Sequence, residues 1–105
     1  MNAYKVYNSD IQGFEHDEEY YLNPIVAEKD FYKRLRHVIE NEPLAEREDI
    51  DGGPPWKIQT RDPINKNLIL KADYAKWVSW NTPECGEESD ITYEQIILER
   101  IMINE

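Results

Sequence analysis

The residue types best suited to chemistry lie in a short acidic segment, Gly13 to Tyr21, which reads GFEHDEEYY. Imidazole and carboxylate groups are common metal ligands, and His16 and Glu19 have the i, i+3 spacing that allows joint ligation from a helix. The chain contains no H-E-x-x-H motif and no D-x-D-x-D-G calcium loop. We therefore predict a solvated acidic segment without a metal. The alternative is a small metal-binding accessory protein or enzyme that uses His16 and its neighbouring acids.

Nucleophilic catalysis has one candidate thiol, Cys85, which is the only cysteine of the chain. Glu84, Glu87 and Glu88 lie close to it in sequence, and negative neighbours disfavour the thiolate, which is the reactive form. The sequence contains no G-x-S-x-G motif and no phosphate-binding G-x-x-x-x-G-K motif. It therefore predicts no enzyme activity and no cofactor. A single cysteine also excludes an intramolecular disulfide, which favours a reducing compartment such as the cytoplasm.

Charge gives the clearest indication of function. The net charge is −10, from 22 acids and 12 bases. Residues 1–20 hold five acids and one base, and residues 84–105 hold seven acids and one base. Such a balance disfavours direct binding to nucleic acid or to an anionic membrane, and it favours attraction to a basic protein. No apolar run approaches the ~18 residues that a membrane-spanning helix needs.

Acidic and aromatic residues occur together near Gly13–Tyr21, and aromatic side chains are enriched where proteins meet. The competing interpretation is that Tyr20 and Tyr21 only cover a sheet edge. We predict two partner-binding segments. The first consists of Phe14, Glu15, Asp17, Glu18, Glu19, Tyr20 and Tyr21, and the second of Glu84, Glu87, Glu88 and Asp90.

A helix is the clearest element that would position these residues. Asn23 and Pro24 have the types expected of an N-cap and a first helical residue, and Pro43 marks the end near Glu42. Apolar residues spaced at i, i+4, i+7 and i+8 predict one buried face, made of Phe31, Leu35, Val38 and Ile39. Before this helix, residues 3–7 predict a strand, and residues 13–24 predict a loop.

The second half of the chain predicts a β-hairpin, with Trp56–Thr60 pairing with Leu68–Ala72. Asp73–Trp80 fits either a short helix or a continuation of the sheet, and the helix is favoured. The final segment contains Thr92-x-x-Gln95, which matches a capping box, so a C-terminal helix is predicted there. Its β-branched residues also suit a strand.

A chain of 105 residues fits one domain. We predict a single α+β domain over residues 1–105, with an antiparallel sheet, one main amphipathic helix and a C-terminal helix. In size and charge it resembles small acidic inhibitors of nucleic-acid-handling enzymes, such as toxin immunity proteins and phage or plasmid anti-defence proteins. That resemblance implies a non-enzymatic protein that occludes a basic partner, such as a nuclease or another nucleic-acid-binding enzyme. A structural homo-oligomer, such as a homodimer paired through the apolar C-terminal segment, is a further alternative.

Overall fold

One antiparallel sheet of five strands organises the computed structural model, which describes residues 1–50, 52–60 and 62–103. The strands are β1 (Asn2–Ser9), β2 (Glu15–Tyr21), β3 (Trp56–Gln59), β4 (Leu68–Thr82) and β5 (Gly86–Met102). Helix α1 (Pro24–Asn41) and a 3-10 turn (Arg47–Ile50) lie between β2 and β3. The strand order is β2-β1-β5-β4-β3, so the last strand of the chain is central in the sheet. The predicted α+β class with an antiparallel sheet is confirmed.

The ends of α1 follow from their local sequence. The Asn23 side chain accepts a hydrogen bond from the Ile25 N–H at 2.8 Å, and Pro24 occupies the first helical turn. At the other end, Glu42 donates its N–H to the Val38 carbonyl at 2.9 Å, and Pro43 follows. Both predicted boundaries are confirmed.

The core lies between α1 and one face of the sheet. Phe31, Leu35 and Val38 are buried as predicted, but Ile39 is 39% exposed, so its assignment to the core was wrong. Successive residues are turned by ~100° around a helix, and the sheet covers only the face that contains Val38. The remaining members of the core are Ala27 from α1 and Val6, Leu70, Ala72, Tyr74, Ile96 and Leu98 from the sheet.

The predicted C-terminal helix is wrong, because the segment forms β5. Ile96 and Leu98 are buried in the core, while Ile97 and Ile101 lie on the opposite face and are only partly covered. Since apolar residues occupy both faces of this central strand, the alternation that identifies a half-buried strand is lost. The short helix favoured for Asp73–Trp80 is also wrong: this stretch pairs with β5 as part of β4.

The acidic segment at Glu15–Tyr21 is an edge strand, and the prediction of a loop there was wrong. Asp17 and Glu18 together lie opposite Tyr7, which shifts the register of the β1–β2 pair, and Asp17 has a φ of 57°. A bulge of this kind breaks the two-residue period that would have indicated a strand. Only Tyr21 among its side chains is partly buried, so backbone pairing rather than apolar burial forms β2.

Candidate functional site

A two-stranded arm, residues 77–93, extends beyond the rest of the sheet. β1 pairs with β5 only from Gln95 onward, and β3 pairs with β4 only up to Tyr74. The β4–β5 ladder continues without a break to Thr82 and Gly86. The molecule measures 56 × 30 × 26 Å and has a radius of gyration of 16.0 Å. A compact domain of this length has a radius of ~13 Å, so the arm accounts for an elongated shape.

The arm ends in a three-residue loop, Pro83-Glu84-Cys85. The Thr82 hydroxyl accepts a hydrogen bond from the Cys85 N–H at 3.0 Å and donates to the Gly86 carbonyl at 3.3 Å. Gly86 has a φ of 76°, which a side chain would disfavour, and this conformation is typical of three-residue hairpin loops. Cys85 is exposed at this tip, and its thiol forms no disulfide.

Negative charge dominates the arm. Four acids and no lysine or arginine occur between Trp77 and Tyr93. These four acids, Glu84, Glu87, Glu88 and Asp90, are all exposed, and none forms an ion pair with another described residue. The Asp90 carboxylate does accept a hydrogen bond from the Ile91 N–H at 2.8 Å. All four residues of the second predicted binding segment therefore lie together on this projection.

Large aromatic side chains lie on both faces of the arm. Trp77 is opposite Ile91, and Tyr93 lies two residues farther along the same face. Trp80 is opposite Glu88 on the other face. Trp80 is 44% exposed and Tyr93 53%, so both present apolar area to solvent beside the acidic residues. None of these aromatics belongs to a predicted binding segment, because Trp77 and Trp80 lie in the stretch expected to form a short helix and Tyr93 lies in the predicted C-terminal helix.

An ion-pair cluster marks the base of the arm. Lys76 Nζ lies 3.0 Å from Glu94 Oε1 and 3.6 Å from Glu42 Oε2, and the Tyr74 hydroxyl donates to Glu94 at 3.0 Å. Burial acts to lower the pKa of Lys76, but the hydrogen bond to Glu94 and the charges of Glu94 and Glu42 outweigh it and raise that pKa. Burial, followed by the charge of Glu94, raises the pKa of Tyr74 above its ordinary value. This cluster contains the last cation before the arm begins.

The first predicted binding segment lies on β2, apart from Phe14 which precedes it, and one of its acids is paired with a cation. Lys5 Nζ lies 2.8 Å from Glu15 Oε2, and this hydrogen bond is the main cause of the raised pKa of Lys5. His16 Nδ1 lies 3.0 Å from Asp17 Oδ2. Two further acids, Glu18 and Glu19, are exposed. The segment therefore carries less free negative charge than its composition suggests.

The aromatic residues of this segment have two different roles. Phe14 and Tyr20 are exposed, as a contact surface requires. Tyr21 is half-buried and donates its hydroxyl proton to Asp30 Oδ2 at 2.7 Å. Burial and this hydrogen bond raise the pKa of Tyr21 to about 12. Tyr21 thus fixes β2 to α1, while Phe14 and Tyr20 remain available to a partner.

The structure does not bring the two acidic segments together. Glu15 lies opposite Ser9, and Ser9 lies opposite Gln95, so β2 begins near the end of the sheet from which the arm projects. Asp90 and Glu87 precede Gln95 in the chain by five and eight residues. At ~3.3 Å per residue, they therefore lie about 16–26 Å from Gln95 along the arm. The two segments point toward the same end of the molecule but form separate surfaces.

A hydrogen-bonded network behind β2 connects three elements. Arg34 donates to Asn8 Oδ1 at 2.8 Å and to Asp30 Oδ1 at 3.0 Å, and Asp30 also accepts from Tyr21. The i, i+4 spacing of Asp30 and Arg34 is the sequence signal that could have identified this pair. Its position between β1, β2 and α1 indicates a structural role.

A groove of about 490 Å³ lies beside β3. Lys57 and Lys71 contribute positive charge to it, and neither forms an ion pair among the described residues. Asp73 also lines the groove, but its carboxylate accepts a hydrogen bond from Gln95 at 2.7 Å. The sequence predicts no site here, because the lining residues come from β3, β4, β5 and the segment before β3, which are far apart in the chain.

Neither metal ligands nor a membrane-spanning helix can be assigned from the described part of the chain. Within residues 1–50, 52–60 and 62–103, no group of three or more His, Cys, Asp or Glu side chains is arranged to hold a metal ion. Over the same ranges, no helix combines the length and the apolar character needed to cross a membrane. The geometry around His16 therefore adds nothing to the metal-binding alternative.

Comparison with known proteins gives no match: no protein-family model fits the chain, and no curated protein or solved structure is significantly similar to it. The fold defines a small α+β domain with a projecting acidic hairpin, and any functional assignment depends on that geometry.

Proposed function

We propose that this chain is a non-enzymatic acidic binding protein that occludes a basic surface of a partner protein. The observation that carries the proposal is the arm, which extends from the sheet with four exposed acids and no cation. A nucleic-acid-handling enzyme has a basic substrate channel, so an inhibitor of the immunity or anti-defence type is the function that this shape and charge fit best. The proposed compartment is the cytoplasm.

The dimensions of the arm suit insertion into a channel. Two paired strands lie about 4.8 Å apart, so a ribbon of this kind is much narrower than the whole domain. Its charge would be attracted by a basic cleft and would accelerate association by long-range steering. Once inserted, Trp80 and Tyr93 would supply apolar area, and interface energy is concentrated in such side chains. Steering and anchoring thus come from the same projection.

Protection against aggregation is the main competing explanation for these acids. Unpaired strand edges invite pairing with another chain, and charged side chains on such an edge discourage it. Protection alone does not require exposed tryptophan, because an exposed apolar side chain adds to the association hazard. Trp77 and Trp80 are both substantially exposed on the arm. Their presence favours a binding surface over a purely protective one.

The segment on β2 is proposed as a secondary contact. Phe14 and Tyr20 are exposed beside Glu18 and Glu19, so they could touch the rim of the same partner. Glu15 is already paired with the Lys5 ammonium group, which reduces the contribution of Glu15 to steering. We therefore assign the larger share of association to the arm.

A charge-neutralised arm tests the proposal. The variant E84Q/E87Q/E88Q/D90N removes four charges and keeps the side-chain shapes. A matched control, E28Q/E40Q/E46Q/E48Q, removes four charges from exposed positions outside the arm. Both variants and the unaltered chain would be used to capture partners from cells that make this protein, at low and at high salt.

The expected result is a basic protein that binds at low salt, is released at high salt and is lost from the arm variant but not from the control. Addition of the unaltered chain should inhibit that protein's action on nucleic acid. Equal capture by the two variants would contradict the proposal, because binding would then depend on total charge rather than on the arm.

A further inference from the structure

One edge of the arm is an unpaired strand edge. β5 pairs with β4 along its whole length from Gly86, but β1 covers its other edge only from Gln95 to Met102. Among the described residues, no strand pairs with this edge of β5 at residues 87–94. We call this open position, directly in line with β1, the empty lane. A strand edge of this length can accept another strand through its main-chain groups.

Hydrogen bonds identify which residues face the empty lane. Arg100 donates its N–H toward the β4 side, to the Asn67 carbonyl at 2.8 Å, whereas Ile103 donates to Met1 on the β1 side. The register between β4 and β5 has no irregularity from Gly86 to Leu98. The backbone N–H and C=O groups of odd-numbered residues in β5 therefore point into the lane. The residues whose backbone groups point into the lane are Glu87, Ser89, Ile91 and Tyr93. The N–H of Ile91 is bonded to the Asp90 carboxylate, which agrees with this assignment.

We propose that this lane receives an extended segment of the partner whose alternate residues are basic. The inference rests on the proposed function and specifies its mode of contact, which is strand addition to β5. The added strand would lie where β1 would continue, and it would end at the β1–β2 turn, where Ile11 and Phe14 are exposed.

Side-chain alternation explains why the incoming residues should be basic at every second position. Glu88, Asp90 and Glu94 project from one face of β5, and Ser89, Ile91 and Tyr93 project from the other. Glu94 is already bonded to Lys76, so Glu88 and Asp90 are the free charges of the first face. A strand with lysine or arginine on that face and small or apolar residues on the other would complement both.

A second copy of this chain is a poorer occupant for the same lane. Pairing two arms edge to edge would place the four acids of one beside the four acids of the other, with no cation in either arm. Like charges opposite each other in a sheet are destabilising. Charge complementarity therefore selects a basic segment.

Two serines provide a matched test. Ser79 and Ser89 are opposite each other in the arm, and their N–H groups face its two outer edges, β4 and β5 respectively. Proline removes a backbone donor and is tolerated best at an edge. S89P would therefore remove a donor from the proposed lane, and S79P would remove one from the opposite edge. Neither change alters the charge.

The probe is a synthetic decapeptide of alternating lysine and threonine, compared with a peptide of the same composition in which the lysines are contiguous. We expect the alternating peptide to bind the unaltered chain more tightly, and we expect S89P to weaken it about fivefold or more while S79P changes it less than twofold. Amide exchange of the unaltered chain supplies a measurement that needs no variant. The N–H groups of Ser89 and Tyr93 should become protected by the peptide, and that of Ser79 should not.

Equal affinities for both peptides, equal effects of the two proline variants, or no added protection at Ser89 would each overturn strand addition. Absence of any binding to the alternating peptide would overturn it as well. These results remain distinguishable from failure of the proposed function. If the arm acts by charge alone, partner capture is still lost from E84Q/E87Q/E88Q/D90N and retained by both proline variants.

Discussion

Lys76 and Glu94 form an ion pair at the point where the arm leaves the sheet, with Nζ and Oε1 3.0 Å apart. Both side chains are more than four-fifths buried, and the Tyr74 hydroxyl donates to the same carboxylate oxygen. On the core side of this ion pair the β4–β5 hairpin contains both acidic and basic residues, and on the arm side its only charged residues are acids. The ion pair gives the first of four predictions.

Replacement of Lys76 by methionine should destabilise the fold by roughly 1–3 kcal/mol, because Glu94 and Glu42 lose their shared cation in a partly buried position. Urea unfolding measures the change. The double variant K76M/E94Q should recover part of the loss, since the uncompensated carboxylate is then removed. A double variant no more stable than K76M would show that the two residues are not coupled.

Leu35 and Ile39 provide a test of the core that α1 forms. Leu35 is 4% exposed and Ile39 is 39% exposed, although both belong to one apolar face in the sequence. L35A should lower the free energy of unfolding by about 2–5 kcal/mol, as expected for a cavity in a packed core. I39A should cost clearly less, because its side chain already contacts water. Similar losses for both would contradict the packing of α1 described above.

Stability should fall as the pH rises above about 10, the ordinary pKa of tyrosine. Burial raises the pKa values of Tyr7, Tyr21 and Tyr74 in the folded chain, so each unfolded tyrosine loses its proton at a lower pH than the folded one. In that range the folded state binds more protons, and alkali therefore favours unfolding. Y74F removes one such group, so denaturant titrations over this range should show a shallower fall. An unchanged slope would show that Tyr74 does not ionise with this linkage.

Trp80 should act as an anchor if the arm enters a partner. W80A is expected to speed dissociation from the captured partner, at a cost of about 2 kcal/mol or more, with little change in the association rate. Binding kinetics measured on immobilised partner give both rates. A suitable control is I64A, which alters an exposed apolar residue in the connection between β3 and β4. Equal dissociation rates for the two variants would remove Trp80 from the interface.

Local sequence determined the elements whose signals are short-range. The boundaries of α1 follow from Asn23, Pro24 and Pro43. The pairing of β3 with β4 follows from two β-prone segments separated by turn residues, although β3 pairs with residues 71–74 of β4 rather than with the predicted Leu68–Ala72. The acidity of both ends and the absence of catalytic motifs are also properties of the sequence alone. These features depend on residues within one or two turns of each other, or on composition, so no tertiary information is needed to find them.

Only the tertiary structure decided the conformation of β2, of β5 and of the arm. β5 is the central strand of the sheet, and apolar residues occupy both of its faces. Its sequence therefore fits a helical spacing as well as a strand. β2 is held in the sheet by backbone pairing and by the Tyr21–Asp30 hydrogen bond, and it buries almost no apolar side chain. Its sequence therefore lacks the apolar pattern that would predict a strand. The arm exists because β1 and β3 stop short of the ends of β4 and β5. Where a neighbouring strand ends is a long-range property, and it places Glu84 to Asp90 on a projection rather than in a turn beside the core.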